Sequence, residues 1–408
     1  MSNVSSIEQP TATLEDLEGI QPADLANTAE QVVPESRPPR RPAWIEVDLA
    51  QLKRNFEIIN KDKPPGLQLL SVIKDEAYGN GAFEVAQIAL ECGARYLGLS
   101  TLDEAVALRD KGVTAPILLL GDREEAELPW CLEYNLTCCV SEFHTVKKIA
   151  QLAERAGKRT AIHLKINTGM NRYGIRWDQA QVLLEQIASA ESLVLEGVLS
   201  HFAQSDETDK SFASLQTERF REVISILDQL GLEVRLRHLC NSGGFLDLPD
   251  AHFDMARIGI LQLGVYPSSV CRRLDGIKPI MTVKARIAAI QNLEPGEVVG
   301  YGMRFTATSP RRIGVLPVGY GDGMPRVRNQ GCALVQGQRA PIVGGVAMDA
   351  FMVDLTDIPQ AQLWDEAVLM GRQGAEELTV HDIARMKNSV SYDALTAWRA
   401  RLPRVYKP

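Results

Sequence analysis

A lysine stands directly after an apolar run that has the length of a buried strand. Lys74 follows residues 69–73, and the next seven residues, 75–81, contain Tyr78 and two glycines. A lysine at a strand end usually extends its amine into solvent, and this is the ordinary interpretation. An amine at the carboxyl end of a buried strand, with a tyrosine four residues later, also suits a lysine that forms a Schiff base with a carbonyl compound. This segment alone leaves both interpretations open and favours the first.

A second block places several polar side chains on one face of a strand. In an extended segment with a period of two, His163, Lys165 and Asn167 point the same way. Inside a barrel that direction is the interior or its rim. A buried lysine needs a counter-charge, and the cation Arg172 nearby makes the electrostatics less favourable. We therefore expect an anion near Lys165.

Further polar residues occur at the ends of later apolar runs. His201, Ser242 and Arg257 lie at such ends. Each has an ordinary explanation. The histidine could be hydrogen-bonded in the core, the serine could lie in a turn, and the arginine could form a surface ion pair. In the second half of the chain glycines flank Tyr301 and Tyr320, and such tyrosines are usually turn or packing residues. Polar residues at the ends of successive barrel strands, however, are where active sites of that fold lie.

The order of the apolar runs predicts the scaffold that positions these residues. From Trp44 to about Gly264, short β-branched or leucine-rich runs alternate with amphipathic helical patterns, which indicates parallel βαβ units. So many units favour a closed (β/α)8 TIM-type barrel, with Lys74 at its carboxyl-terminal rim. There is one strand candidate too many for such a barrel, so we expect the first to belong elsewhere. The candidates are residues 44–48, 69–73, 96–99, 116–120, 136–140, 160–166, 193–199, 234–239 and 253–257.

The pattern changes beyond Pro279. Short alternating runs punctuated by Gly, Pro and Asn predict a compact, mostly antiparallel β domain. The predicted organisation is an α/β chain with the barrel at residues 44–275 and the C-terminal β domain at residues 276–408.

Composition limits the classes of partner. The 408 residues are 45% apolar and 24% charged, with a net charge of -8, so a large core is possible and a nucleic-acid or anionic-membrane partner is disfavoured. Small metabolites remain as ligands.

The number of cysteines is odd and the sequence contains no C-x-x-C pair, which fits reduced thiols in a cytoplasmic protein. No stretch approaches the length of a membrane span, and no metal site is predicted.

Residues 1–43 are expected to form a disordered acidic tail. Residues 1–36 contain several acidic residues but no Lys or Arg, so they match neither a secretory nor an organelle signal.

Taken together, these blocks resemble the alanine racemases, the pyridoxal-phosphate enzymes built from a barrel and a β domain. The resemblance extends from about Trp44 to Tyr406. The segments that carry it are residues 74–81, 163–174, 200–203, 238–243, 253–260, 299–302, 316–323, 343–349 and 402–406. It implies PLP-dependent racemisation of a free amino acid, most of all alanine, by a head-to-tail homodimer with shared active sites.

The resemblance also assigns two catalytic bases. Lys74 would hold pyridoxal 5'-phosphate covalently and act as one base, and Tyr301 of the other subunit would act as the second. Racemisation removes a proton from one face of the α-carbon and returns one to the other, so two groups on opposite faces are the economical arrangement. Lysine and tyrosine both have reference pKa values near 10, so the pKa of each must be lowered for this role.

The remaining roles follow from the same resemblance. Arg257 would face the pyridine nitrogen, and because guanidinium keeps its proton, the cofactor would be a weaker electron sink. Arg172 would contact the phenolic oxygen and the substrate carboxylate, Met348 would offer its backbone N–H to that carboxylate, and His201 would set the environment of Tyr301. The residues expected at the phosphate are Tyr78, Ser242, Gly259, Ile260 and Tyr392. Lys165 matches a lysine that is carbamylated in many members, which would supply the anion beside Arg172.

Some positions differ from the usual family pattern. Asp75 replaces an alanine beside Lys74, and its carboxylate would raise the pKa of Lys74 if it points inward. Leu263 replaces a common tyrosine, Gly345 a usual arginine and Ala347 a usual cysteine. These changes remove bulk or polarity, so a broader range that includes serine or basic amino acids is an alternative to alanine.

Two other activities remain as alternatives. Basic amino-acid decarboxylases share the architecture but typically protonate with a cysteine, and no cysteine falls in the matching motifs of the second domain. A non-catalytic pyridoxal-phosphate carrier resembles an isolated barrel, and the second domain with Tyr301 argues against it.

Overall fold

Two large sheets build most of the described part of the chain, one of parallel strands and one mainly antiparallel, and a third sheet there has only two strands. The computed structural model describes residues 41–408, so residues 1–40 of the predicted acidic tail lie outside the described residues. The strands are β1 (Ala43–Asp48), β2 (Gln68–Val72), β3 (Tyr96–Leu99), β4 (Ile117–Leu119), β5 (Thr137–Val140), β6 (Thr160–Asn167), β7 (Ile175–Arg176), β8 (Leu193–Leu199), β9 (Leu236–His238), β10 (Met255–Ile258), β11 (Met281–Arg286), β12 (Ala289–Leu293), β13 (Val298–Val299), β14 (Phe305–Thr306), β15 (Arg311–Leu316), β16 (Cys332–Val335), β17 (Gln338–Val343), β18 (Phe351–Asp354), β19 (Glu366–Gln373), β20 (Glu376–Leu378) and β21 (Arg404–Lys407).

The parallel sheet is the predicted barrel. Its eight strands follow the order β2, β3, β4, β5, β6, β8, β9 and β10, and β10 pairs with β2. Backbone hydrogen bonds from Asp254 to Arg237 and from Arg257 to Cys240 join the segments around β10 and β9. The barrel is therefore nearly closed, and the predicted fold class is confirmed.

Most helices lie between the barrel strands in the chain and pack an apolar face against the core, whereas the last two follow β20. They are α1 (Leu49–Asp62), α2 (Ala82–Glu91), α3 (Leu102–Asp110), α4 (Leu128–Glu133), α5 (Phe143–Arg155), α6 (Ala180–Ala188), α7 (Ser211–Gln229), α8 (Ser242–Asp247), α9 (Val380–Lys387) and α10 (Ser391–Thr396). The side chain of Asp48 accepts a hydrogen bond from the backbone of Gln51 and caps α1, as an N-terminal aspartate should. The predicted apolar face of α1 is buried at Leu52, Phe56 and Ile59.

The first strand lies in the other sheet, as the surplus strand candidate indicated. β1 pairs antiparallel with β11 and parallel with β21. The second sheet has the order β12, β15, β18, β17, β16, β19, β11, β1 and β21, so its pairing is almost entirely antiparallel. Residues 259–280 connect the last barrel strand to β11, and the domain boundary near residue 275 stays a prediction.

No helix within residues 41–408 is both long enough and apolar enough to cross a membrane.

Candidate active site

One cavity at the carboxyl-terminal mouth of the barrel collects most of the predicted site residues. Its volume is about 590 Å³. The predicted residues that line it are Lys74, Tyr78, Lys165, Arg172, His201, Ser242, Arg257, Gly259, Ile260 and Tyr392. Tyr301 and Met348 do not line it within one chain.

Asp75, which the sequence singled out beside Lys74, also lines the cavity. Other lining residues were not predicted from the sequence. They are Val72, Ser100, Leu120, Gly121, Arg123, Cys139, Tyr173, Leu199, Asn241, Asp393 and Thr396. Several of them end or directly follow a barrel strand, for example Leu120 after β4 and Leu199 at the end of β8. The rule that active sites form at strand ends would have found these positions, although not their roles.

Lys74 begins a tight turn whose backbone is left-handed. Residues 75–78 have φ angles between 51° and 56°, a region that residues other than glycine rarely adopt. Each such residue costs roughly 1–2 kcal/mol, so the surroundings must hold the turn. The Asn80 side chain donates to two carbonyls of the turn at 2.9 and 3.2 Å, and Arg404 donates to the Gly79 carbonyl at 3.0 Å.

The surroundings of Lys74 lower the pKa of its amine. Burial makes the largest contribution, and the positive charge of Arg172 acts in the same direction. The carboxylates of Glu104 and Asp75 oppose this shift and raise the pKa. Asp75 therefore raises the pKa of Lys74, as expected from its charge, but burial and Arg172 together lower that pKa by more.

Lys165 lines the cavity without an ion-pair partner. Within residues 41–408 it takes part in no salt bridge, and the positive charges of Arg257 and Arg172 both act on it. Burial, then the charge of Arg257, lowers the pKa of Lys165 to about 7. The predicted need for an anion at this place is consistent with these surroundings.

Arg257 is held rigidly at the bottom of the cavity. Arg257 is 3% exposed, and the two terminal nitrogens of its guanidinium group donate hydrogen bonds to three backbone carbonyls. They also donate to Nδ1 of His238 at 3.1 Å and Nδ1 of His201 at 2.9 Å. Burial lowers the pKa of Arg257 to about 10, so the guanidinium stays charged near neutrality.

A chain of hydrogen bonds leads from Arg257 towards the opposite end of the barrel. Nε2 of His238 lies 2.9 Å from Nδ1 of His163, and Nε2 of His163 lies 3.3 Å from Glu196. Because guanidinium can only donate, His238 must accept at Nδ1 and donate from Nε2, and His163 must then donate to Glu196. This series of hydrogen bonds therefore fixes one tautomer for neutral His238 and one for neutral His163.

Glu196 was not singled out in the sequence. Burial raises its pKa, but hydrogen bonds from His163 and Tyr96 outweigh this effect and lower the pKa to about 2. The available signal was a single acidic residue inside the apolar strand β8. Such a residue normally has a partner, and here the partners are His163 and Arg235.

These neutral histidines predict a loss of stability in acid. The pKa values of His163, His201 and His238 are all lowered, first by burial. Unfolding returns them to about 6.5, so the unfolded chain binds more protons below that pH. We expect the free energy of unfolding to fall between pH 6.5 and 5.5 by up to about 1 kcal/mol per histidine, measured by urea denaturation. Replacing His163 with glutamine should reduce this slope, and an unchanged slope would contradict the assignment.

Two tyrosines and a glycine form a narrow recess at one side of the cavity. The rings of Tyr78 and Tyr392 have centroids 6.3 Å apart. A Cβ atom on Gly259 would lie 2.7 Å from the hydroxyl of Tyr78, so only glycine fits there. The hydroxyl of Ser242 accepts from the backbone N–H of Gly259 at 3.2 Å. Hydroxyl groups and backbone N–H groups thus converge on this recess.

Tyr301 and Met348 lie on the surface of the second domain. Tyr301 is 86% exposed, at the tip of the connection between β13 and β14, and Met348 is 53% exposed. The flanking Gly300 and Gly302 have φ angles of 70° and 72°, which explains the glycines at this turn. One chain therefore supplies the barrel residues of the predicted site but leaves Tyr301 and Met348 facing outwards.

Comparison with known proteins decides the family. A model of the alanine racemase N-terminal domain matches residues 47–267, and a model of the C-terminal domain matches residues 280–406. An alanine racemase of Syntrophobacter fumaroxidans is 39% identical over 352 residues, which cover 86% of this chain and 94% of that protein. This chain belongs to the alanine racemase family. The predicted resemblance is thereby confirmed.

Solved structures of alanine racemases have the same fold. The alanine racemase of Clostridium difficile 630 superposes with a TM-score of 0.86 at 30% identity, covering 90% of this chain and 96% of that one. The Bacillus anthracis alanine racemase with bound L-Ala-P gives a TM-score of 0.85 at 31% identity, covering 91% and 96%.

Alanine racemases depend on pyridoxal 5'-phosphate, and the cavity of this family member fits such a group. The narrow recess at Gly259 is a cradle that a Cβ atom would fill. Arg257, Arg172 and Lys165 supply positive charge for an anionic ring and phosphate, while Lys74 supplies an amine for covalent attachment. The chemistry of the donor set therefore agrees with the cofactor of the family.

Of the positions that differ from the usual alanine racemase pattern, Asp75 lines this cavity, whereas Leu263, Gly345 and Ala347 lie outside it. Leu263 is 2% exposed and lies in the core, and neither Gly345 nor Ala347 lines the cavity within one chain. Arg328 pairs with Gly345, and its side chain lies 3.7 Å from the position of a Cβ atom there. Within one chain these substitutions do not enlarge the cavity.

Proposed function

We propose that this chain interconverts L-alanine and D-alanine, with pyridoxal 5'-phosphate held at the mouth of the barrel. The observation that carries the proposal is the single cavity in which the Lys74 amine meets the guanidinium groups of Arg172 and Arg257. The bound cofactor would withdraw electrons from the α-carbon of the substrate and make its proton acidic. The residues of the chain would then bind, orient and exchange that proton.

Lys74 would exchange the proton on one face of the substrate. The left-handed turn aims its amine into the cavity, and burial together with Arg172 lowers the pKa of that amine. A lowered pKa leaves more of the amine unprotonated near neutrality, which a general base requires.

Tyr301 of a second copy would serve the opposite face. A tyrosine that is 86% exposed on a turn with two positive-φ glycines is poorly explained by packing. Met303 and Met348 are also exposed, at 67% and 53%. An apolar surface of this kind suits association with another copy, and a head-to-tail homodimer would place Tyr301 above the partner's barrel mouth. His201, whose Nδ1 is occupied by Arg257, would offer its Nε2–H towards that side.

The substrate carboxylate would be bound by groups from both copies. Arg172 lies at the mouth of the cavity and can donate two parallel hydrogen bonds to a carboxylate. Met348 of the second copy would add its backbone N–H. Tyr78, Ser242, Gly259, Ile260 and Tyr392 would bind the cofactor phosphate, and Arg257 would donate to the ring nitrogen.

Lys165 would carry a carbamate. A pKa near 7 leaves a substantial neutral fraction, and a neutral amine is the form that reacts with carbon dioxide. We expect a carbamate carbon signal in the NMR spectrum of protein equilibrated with ¹³C-bicarbonate, and we expect Lys165→Ala to lose it. Lys158→Ala, in which an exposed lysine is removed, is the control. A spectrum of the native protein without this signal would contradict the modification.

We also propose that the protein works in the cytoplasm. The cysteines of the chain all lie within residues 41–408 and are free, as expected of a protein that remains in a reducing compartment.

The assay that tests the function follows the α-hydrogen and the optical rotation together. The purified protein with pyridoxal 5'-phosphate is incubated in deuterated water with L-alanine, L-serine, L-lysine or L-arginine. We expect L-alanine to lose its α-hydrogen signal and its optical rotation at comparable rates. Exchange on serine or a basic amino acid would establish a broader range, while release of carbon dioxide would show a decarboxylase. Exchange without loss of rotation, or no reaction with alanine, would refute the proposal.

A further inference from the structure

The carboxylate of Glu104 connects two neighbouring segments of the barrel mouth. Glu104 lies in the first turn of α3, the helix that follows β3. Its Oε2 accepts hydrogen bonds from the backbone N–H groups of Ser100 at 2.9 Å and Thr101 at 3.0 Å. Its Oε1 accepts the backbone N–H of Asp75, the residue directly after Lys74. Both oxygens are therefore occupied, and by different segments.

We propose that Glu104 is a positioning residue for Lys74, because its carboxylate ties the left-handed turn to the adjacent strand end and so fixes where the lysine amine points. This inference rests on the proposed function in one respect, since it takes Lys74 to be the residue that binds the cofactor.

Helix capping alone does not account for this arrangement. A capping box needs only the reciprocal bonds between Thr101 and Glu104, and both are present. The bond to Asp75 is additional and joins residues 29 positions apart in the chain. The backbone also closes the turn on itself, because the Ala77 N–H donates to the carbonyl of Ile73, the residue before Lys74, at 2.8 Å. The Glu104 bond differs from it, since it joins the first residue after Lys74 to the neighbouring strand end.

The geometry requires a carboxylate rather than an amide. Glutamine has one oxygen and one NH₂ group, so it can accept on one side only, and its NH₂ group would face a backbone N–H on the other. Glu104→Gln therefore keeps the size of the side chain but must break either the bonds at the start of α3 or the bond to Asp75. An N–H left facing a second donor is unfavourable, so the turn should shift.

The charge of Glu104 also acts on Lys74 without direct contact. No salt bridge joins the two side chains within residues 41–408. Glu104 and Asp75 raise the pKa of Lys74, while burial and Arg172 lower it. His201 also faces the amine, and Arg123, Lys165 and Asp393 line the same cavity. Removing the Glu104 charge should therefore shift the titration of the lysine-bound cofactor to lower pH.

The test compares four variants of the full-length holoenzyme with the native protein. Glu104→Gln removes the charge and one acceptor. Glu104→Asp keeps the charge but shortens the reach. Thr101→Ala removes the bond from the Glu104 N–H to the Thr101 hydroxyl and leaves the Asp75 bond in place. Asp103→Asn is the matched control, because Asp103 is an exposed carboxylate in the same helical turn with no bond to residues 74–79.

Two measurements separate positioning from general stability. The first is the pH titration of the visible absorbance of the lysine-bound cofactor, and we expect Glu104→Gln to lower its midpoint by about one pH unit. The second is the split between kcat and KM for alanine. We expect kcat to fall roughly 10- to 100-fold with KM within about threefold, because a small misplacement of the reacting group mainly affects the chemical step.

The other variants are expected to behave differently from Glu104→Gln. Glu104→Asp should keep the titration midpoint and lose kcat, which also provides the test if Glu104→Gln fails to fold. Asp103→Asn should match the native protein, and Thr101→Ala should lower the melting temperature without shifting the titration. If Thr101→Ala reproduces the effects of Glu104→Gln, or if Glu104→Gln equals Asp103→Asn, the proposal is overturned. The titration needs no turnover, so a native protein that binds the cofactor without racemising alanine would refute the function and leave this test intact.

Discussion

Replacing Lys74 with alanine is expected to abolish racemisation of alanine and covalent attachment of the cofactor together. Lys74 begins the left-handed turn and lines the cavity together with Arg172 and Arg257. Without its amine, neither the covalent link nor the proton exchange on that face is available. The measurements are the rate of loss of optical rotation in both directions and the visible absorbance of the dialysed protein.

Tyr301→Phe separates binding of the cofactor from catalysis when it is compared with Lys74→Ala. It should retain covalent cofactor, because Tyr301 lies outside the cavity of its own chain, and lose about 10²- to 10⁴-fold in kcat, as expected for a missing acid–base group. Tyr320→Phe is the matched control, since Tyr320 is also a glycine-flanked tyrosine of the second domain and is 36% exposed. A Tyr301→Phe protein with native rates would leave the second face without a base and would refute the two-base assignment.

The scaffold could be predicted because its signals are local and repeated. Each barrel strand is an apolar run followed by a helical pattern, and the candidate 160–166 differs from the observed β6 by a single residue. The surplus strand was recognisable from the count alone, although the count could not tell that β1 pairs with β11 and β21. Pairing between segments that are more than 200 residues apart leaves no local pattern.

The turn after Lys74 could not be predicted for the opposite reason. Local preference for residues 75–78 argues against a left-handed backbone, because none of them is glycine. The conformation exists because Asn80, Arg404 and Glu104 bind its backbone from three directions. Tertiary contacts of this kind outweigh local preference, and they concentrate where a reactive group has to be aimed.

The sequence predicted the positive charges of the site but not the negative charge that opposes them. Lys165 and Arg172 indicated an excess of positive charge, and the structure places both at the cavity. The opposing negative charge is that of Glu196, which does not line the cavity. A series of three hydrogen bonds connects it through His163 and His238 to Arg257, which does. A path of this kind depends on the closure of the barrel, so it could not be read from spacing.

The position of Tyr301 leads to the most decisive experiment on assembly. Lys74→Ala and Tyr301→Phe should each be nearly inactive as separate proteins. In a head-to-tail dimer that shares its sites, a mixed dimer has one site with both defects and one site with neither. Random reassociation gives about half mixed dimers, so mixing should restore about a quarter of the native activity. The measurement is the rate of alanine racemisation after the two proteins are dissociated together and reassociated.

A second mixture supplies the control for this recovery. Lys74→Ala combined with Arg257→Gln places both defects in the barrel, so every site of every mixed dimer keeps one of them, and no activity should return. If the first mixture also stays inactive while the mixed dimers are demonstrably formed, Tyr301 does not act in trans. The exposed tyrosine would then need another explanation, because within its own chain it does not line the cavity that contains Lys74. Recovery in the first mixture alone would establish that each active site is built from the barrel of one chain and the β domain of another.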